Sequence, residues 1–183
     1  MKIREIQVAD IVSKSNLPGE DYVINPYVGC SHACKYCYAC FMKRFTGHSE
    51  PWGSFIDIKR QVKPINLKKL EGKNIFISSV TDPYLQQERD FEITRNILKQ
   101  IKDVNCSLTI TTKSALILRD LDILKEMKNL TVAFSINTTD EKFKRDMDKA
   151  SPIKDRFNAL KTLHENGHYT EVFQSPMFQY ITD

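Results

Sequence analysis

No apolar run in this 183-residue chain approaches the roughly 20 residues that a helix needs to cross a bilayer. The N-terminal stretch MKIREIQVAD also lacks the apolar core of a signal peptide, which predicts a protein kept off the membrane and in the cytoplasm. Repeats, low-complexity tracts and obvious linkers are missing too, so one domain over residues 1–183 is expected. No single sign of charge dominates: 27 basic and 23 acidic residues are interspersed, and the net +4 selects neither nucleic acid nor another polyanion. The cysteines are few and badly spread for a secreted disulfide scaffold, since four of the five crowd between Cys30 and Cys40, which points to a reducing compartment. What is present, 41% apolar and 27% charged residues, suffices for one hydrophobic core.

The crowded cysteines carry the chemistry. Cys30-Ser31-His32-Ala33-Cys34-Lys35-Tyr36-Cys37-Tyr38 reads CxxxCxxC, with an aromatic residue just before the third cysteine. Three soft thiolates so close, with no fourth ligand set by the motif, suit a [4Fe-4S] cluster with one iron left open. Zinc competes, because Cys40 extends the run to CxxxCxxCxxC and thiolates bind zinc as well. Structural zinc sites, however, usually draw two ligand pairs from separated segments.

Along the chain, Tyr22 to Val28 is a β-prone run leading into the cysteine loop, and Ala39 to Phe45 can form a helical turn or two. Strands are predicted at Asn74–Ser79, Ser107–Thr112, Thr131–Ile136 and Thr170–Gln174. Between them fall helical patterns at Glu92–Ile101, Ala115–Lys128, Glu141–Asp148 and Ile153–Asn166, the last stopped by Gly167. Five strands alternating with helices make an α/β fold with a parallel sheet, whose ligand sites lie at the carboxyl ends of the strands. Those ends are the cysteine loop, Ser78 to Tyr84, Thr111 to Ser114, Ser135 to Thr138 and the tail after Gln174.

At Cys30, Cys34, Tyr36 and Cys37 the chain resembles the radical S-adenosylmethionine (SAM) superfamily, whose CxxxCx(aromatic)C motif follows the first strand of a partial or full βα barrel. The strings Asn25-Pro26-Tyr27-Val28-Gly29-Cys30, Ser79-Val80-Thr81-Asp82-Pro83-Tyr84, Thr112-Lys113-Ser114 and Phe134-Ser135-Ile136-Asn137-Thr138 are similar to its spore photoproduct lyase-related branch, also called DNA repair photolyase-like. The resemblance implies a radical SAM enzyme, in which the cluster cleaves SAM reductively to a 5′-deoxyadenosyl radical that abstracts hydrogen from a substrate. It implies Cys30, Cys34 and Cys37 as cluster ligands and Tyr36 as the aromatic lying against adenine. It further implies Ser78, Ser79, Thr81 and Asp82 on the methionine amino group, Lys113 and Ser135 on the SAM carboxylate and ribose, and Tyr38 as a radical relay. Arg156 occupies a region where relatives place an arginine near SAM, although a solvated helix face serves equally well. An electron donor such as flavodoxin or ferredoxin is implied as partner; the substrate is open, DNA among the candidates.

Two departures limit the resemblance. Photoproduct lyases carry a hydrogen-donating cysteine after the second strand, whereas this chain has no cysteine between Cys40 and Cys106, so repair of thymine photoproducts by that route is not expected. Relatives also continue beyond the Pro176 to Asp183 segment, so a partial barrel truncated after the fifth strand, with an open sheet edge, is expected. An inactive fragment, or a non-catalytic iron-sulfur or zinc module, is therefore the alternative. His32 reads as a loop residue, His48, His164 and His168 as surface residues, and Cys106 and Trp52 as packing.

Overall fold

The computed structural model describes residues 1–182; the Asp183 end of the last segment lies outside them. Among the described residues nine strands form two sheets: β1 (Lys2–Val8), β2 (Val12–Lys14), β3 (Tyr22–Ile24), β4 (Tyr27–Val28), β5 (Phe55–Gln61), β6 (Asn74–Ile77), β7 (Ser107–Thr112), β8 (Leu130–Ser135) and β9 (Tyr169–Phe173). The larger sheet runs β2-β3-β6-β7-β8-β9, with β2 antiparallel to β3 and every other neighbour parallel. The five parallel strands are the five that the alternation predicts. The sheet stays open between β2 and β9, a partial barrel in an α/β fold.

Its register explains where the loops converge. Ile24, Ile77, Ile110 and Val132 stand side by side across four strands, and all are fully buried. Each such aliphatic side chain contributes about 1.5–3 kcal/mol on burial. Because these strands are aligned and parallel, the segments that follow them leave the sheet at the same end.

Helices α1 (Glu88–Phe91), α2 (Ile93–Ile101), α3 (Leu121–Leu124), α4 (Glu141–Met147) and α5 (Ile153–Glu165) connect the strands. The helical spacing of Ile93, Ile97, Leu98 and Ile101 puts all four into the core. The stretch Ala115–Lys128 is not one helix: a 3₁₀ turn over Ala115–Asp120, capped by the Ser114 hydroxyl, runs into the single turn of α3. Ala39–Phe45 likewise lies in a 3₁₀ helix, Tyr38–Phe45. Asp140 caps α4 through the N–H groups of Lys142 and Phe143, and Gly167, at φ +88°, turns the chain out of α5 into β9.

The smaller sheet, β1-β5-β4, departs from the expectation. The run Tyr22 to Val28 breaks at Asn25-Pro26, so that β3 joins the large sheet and β4 the small one. Strands β1 and β5 escape sequence reading because charges interrupt their apolar residues. Those charges pair across the strands, Arg4 with Asp57 and Arg60 with Glu5.

Candidate functional site

The cysteine loop leaves β4 through Gly29, whose φ of +85° and lack of a side chain are both needed: a Cβ there would stand 2.4 Å from the Phe55 carbonyl oxygen. Successive tight turns then stack the cysteines, with Ala33 N–H donating to the Cys30 carbonyl, Cys37 N–H to Cys34 and Cys40 N–H to Cys37. The loop is tied to the end of α4 by Lys35 N–H to the Met147 carbonyl (2.9 Å) and Lys149 N–H to the His32 carbonyl (2.8 Å). The Thr81 hydroxyl donates to the Gly29 carbonyl at 2.7 Å, which fastens the loop after β6 to the loop after β4.

Between these loops and the carboxyl ends of β6, β7 and β8 lies a cavity of about 800 Å³. Cys30, Cys34 and Cys37 line it together with Tyr36, Tyr38, Ser78, Ser79, Thr81, Asp82, Lys113 and Ser135. The three motif cysteines and these eight further candidates therefore open onto one space, whereas Arg156 does not line it. Its size suits a cofactor-scale ligand. Cys40 is exposed and does not line it. A smaller cavity of about 300 Å³ opens at the other end of β7, around the half-buried Cys106, and holds none of the candidates. Among the described residues no three Cys, His, Asp or Glu side chains group as ligands of one metal ion.

Burial pushes the Cys30 thiol well up, with the negative charge of Asp82 adding to it, and raises Cys34 to about 11 even though Lys113 pulls the other way. Without a metal these thiols hold their protons, and an iron or zinc ion that binds them must displace those protons. The Lys113 ammonium lies 5.8 Å from the centre of the Tyr36 ring. Burial, and then Cys34 and Asp148, also raise the Tyr36 phenol, which stays protonated and donates to Asp148 Oδ2 at 3.2 Å.

Asp82 is the hub of the loop after β6. Its Oδ1 accepts from Tyr84 N–H (2.9 Å) and the Thr112 hydroxyl (2.8 Å), and its Oδ2 accepts from Lys113 N–H (2.8 Å). His32 Nε2 stands 3.2 Å from Oδ2 but off the hydrogen-bond direction. Burial on its own would raise the Asp82 pKa; His32 and the two backbone donors outweigh it and hold the carboxyl at about 2. A carboxyl lowered from 3.8 to about 2 stabilises the fold fully above pH 3.8 and loses that contribution as pH falls towards 2. We therefore expect the wild type to lose about 2 kcal/mol more stability than Asp82→Asn between pH 4 and 2. Urea midpoints measured across that range check this, and parallel pH profiles for the two proteins would refute it.

Ser78 leaves β6 at φ +71°, and its buried Oγ has no hydrogen-bond partner. A buried hydroxyl left unpaired at a cavity wall is a position that a bound donor completes. The Ser79 hydroxyl accepts from Asn25 Nδ2 at 3.3 Å, and Tyr38, largely exposed, donates its phenol to the Ser79 carbonyl. Ser135 is buried, and its carbonyl accepts from Arg156 Nη1 at 2.9 Å.

Several side chains sit elsewhere than expected. Arg156 is on no solvated face: it is 1% exposed, donating also to Asp148 Oδ1 (2.8 Å) and the Ser151 carbonyl (2.8 Å). His48 and His168 are buried and not on the surface; only His164 is exposed. His32 faces Asp82 within the site. Asp148, which joins Tyr36 to Arg156, carried no sequence signal, because its partners meet it only after α4 and α5 have folded. The tail after β9 reaches the mouth: Ser175 and Pro176 line the cavity, and the Phe178 and Tyr36 rings meet edge to face with their centres 5.6 Å apart.

Comparison with known proteins bears on the family and the fold. The sequence profile of the Radical SAM superfamily matches residues 24–183. An uncharacterized protein of Methanocaldococcus jannaschii is 41% identical over 185 residues, covering 100% of this chain and 70% of that protein. An uncharacterized protein of Acidianus two-tailed virus is 33% identical over 115 residues, 57% of this chain and 38% of that one. Among solved structures, spore photoproduct lyase complexed with dinucleoside spore photoproduct superposes with a TM-score of 0.72 at 17% identity, over 97% of this chain and 52% of that one. A variant of that lyase with bound AdoMet and dinucleoside spore photoproduct aligns equally well, again with a TM-score of 0.72. At such identity the likeness is one of fold, and the chain spans about half the length of the lyase.

Proposed function

We propose, on the premise that the chain belongs to the radical SAM superfamily, that it is a radical SAM enzyme whose core occupies residues 1–183. The observation that carries this reading is the shared cavity: three cysteines from one loop, and polar residues from the ends of three strands, open onto one space, while Cys40 stays outside. When bound, a [4Fe-4S] cluster with SAM supplies an electron that splits SAM into methionine and a 5′-deoxyadenosyl radical able to take hydrogen from a substrate.

The residues of the chain divide the work of holding those groups. Cys30, Cys34 and Cys37 give up their protons to become cluster ligands. Ser78 offers its unpaired hydroxyl to the methionine ammonium, beside Ser79 and Thr81. Asp82 adds negative charge from behind, its oxygens already engaged by the loop. Lys113 meets the carboxylate, Ser135 the ribose, and Tyr36 the adenine, its hydroxyl pinned by Asp148. Tyr38 stands at the exposed rim, where a phenol can pass a hydrogen atom between cofactor and substrate.

Among the described residues no other cysteine lines the cavity. A hydrogen returned to a product radical would come from the Tyr38 phenol or from the 5′-methyl group of 5′-deoxyadenosine. A dinucleoside lesion is one substrate to test, because the similar lyase is complexed with one. Flavodoxin or ferredoxin is the proposed donor, and the reducing cytoplasm the proposed location. No helix among the described residues is long and apolar enough to cross a membrane.

Anaerobic reconstitution tests the reading: a brown protein with iron and acid-labile sulfide, releasing 5′-deoxyadenosine on addition of dithionite and SAM, is expected. Stoichiometric zinc without sulfide would overturn it, and a cluster without cleavage would reduce it to a non-catalytic module. A narrower expectation concerns Lys113→Met. Losing a charged hydrogen bond worth about 1.5–3 kcal/mol should raise the KM for SAM roughly 10- to 100-fold with little change in kcat. An unchanged KM would take the carboxylate away from Lys113.

A further inference from the structure

Trp52 is the only tryptophan in the chain, and its indole N–H donates to the Sγ of Cys37 at 3.3 Å. The contact is built by a strap, residues 46–55, that returns from the 3₁₀ helix and lies against the cysteine loop. Gly53, at φ +91°, permits this approach, since a Cβ there would stand 2.7 Å from the Ala33 Cβ. The strap is also held from behind. His48 is buried between Asp57 Oδ1 (2.8 Å from Nε2) and Glu50 Oε2 (3.0 Å from Nδ1), and Arg4 of β1 clamps Asp57 with two hydrogen bonds of 2.8 and 2.9 Å. The His48 ring stacks on Phe55 at 3.9 Å between centres, and Phe55 meets Trp52 edge to face at 5.7 Å. Packing fixes the indole from one side while its N–H aims at a single sulfur.

We propose that Trp52 is a positioning residue that raises the reduction potential of the cluster by hydrogen bonding to the Cys37 thiolate. The inference rests on the reading that Cys37 holds an iron. A thiolate ligand gains negative charge when its cluster is reduced, so a donor aimed at that sulfur stabilises the reduced state more than the oxidised one. The hydrogen bond also occupies one sulfur lone pair, and the indole covers that side of the ligand against water. His48 and Phe55 act through Trp52, by keeping its ring in the one orientation that points the N–H at sulfur.

The test compares wild type with Trp52→Phe, both reconstituted anaerobically, by EPR-monitored redox titration alongside iron and sulfide content. Equal cluster content with a lower midpoint in the variant is expected, the reduction equilibrium falling about tenfold, which is about 59 mV for a one-electron couple. An unchanged midpoint at full cluster content overturns the role of Trp52 and leaves the cluster reading intact. Should the variant fail to fold or to hold a cluster, the wild type labelled with ¹⁵N in its single indole settles the matter by pulsed EPR of the reduced cluster. A ¹⁵N coupling supports the hydrogen bond, and its absence overturns it. A wild type that assembles no iron and sulfide at all overturns the cluster reading, and this inference with it.

Discussion

Replacing Cys30, Cys34 or Cys37 singly with alanine is expected to abolish the brown chromophore and to lower 5′-deoxyadenosine release by more than about 100-fold, whereas Cys40→Ala should leave both in place. Altering the partners that merely orient a metal ligand costs about 10- to 100-fold in affinity or activity, and removing a ligand must cost more. The asymmetry among the four cysteines follows from their positions. Three line the cavity, and Cys40, one turn further along the 3₁₀ helix, is exposed outside it. Iron and sulfide assays on the four variants check this. Equal losses in all four would mean a four-thiolate site and would favour zinc.

The second large effect is one of stability coupled to binding. Arg156→Met should destabilise the protein by about 3–5 kcal/mol, because it leaves the buried Asp148 carboxylate with only Lys144, 3.4 Å away, as a charged partner. For a chain of this size that is a fall in Tm of roughly 6–20 °C. Arg156→Lys should recover little, since one ammonium cannot reach the Ser135 carbonyl, the Ser151 carbonyl and Asp148 at once, as the guanidinium does. Asp148 also receives the Tyr36 phenol, so the variant that survives should bind SAM more weakly as well. Thermal melts of Arg156→Met and of the double variant Arg156→Met/Asp148→Asn separate the causes. The double variant should regain part of the loss, because the Asp148 charge goes together with its guanidinium partner and the buried Lys144 ammonium left behind keeps its hydrogen bond to the Ala150 carbonyl. A single variant within about 1 kcal/mol of wild type would show that Asp148 finds compensation elsewhere.

Much of the site could be read from the chain because parallel strands make strand ends predictable. Ser78, Lys113 and Ser135 are far apart in sequence, yet each lies at or just past the carboxyl end of an aligned strand, and the fold gathers them at the mouth of one cavity. Apolar periodicity found those strands, and α2 with them, without help from any partner. It failed for β1 and β5, where Arg4, Glu5, Asp57 and Arg60 break the pattern until the two strands lie side by side. It overextended the helix after β7, where Ser114 and the charged pair Arg119 and Asp120 direct a 3₁₀ turn first. His48 departs from the surface expectation for a similar reason. His48 is polar in sequence, and its burial makes sense only once Asp57 and Glu50 are seen on either side of it.

By itself the sequence determined the crowding of three thiols in one loop and the alternation of strands and helices, because both depend on spacing that a linear chain already contains: cysteines a few residues apart, and apolar residues at periods of two or 3.6. The tertiary structure alone decided that Cys40 lies outside the cavity, that Asp82 is engaged by the loop it anchors, that Arg156 is buried on Asp148, and that Trp52 points at Cys37. The last three depend on polar groups brought together only by folding, and their energy exists only when the fold has removed water from between the partners.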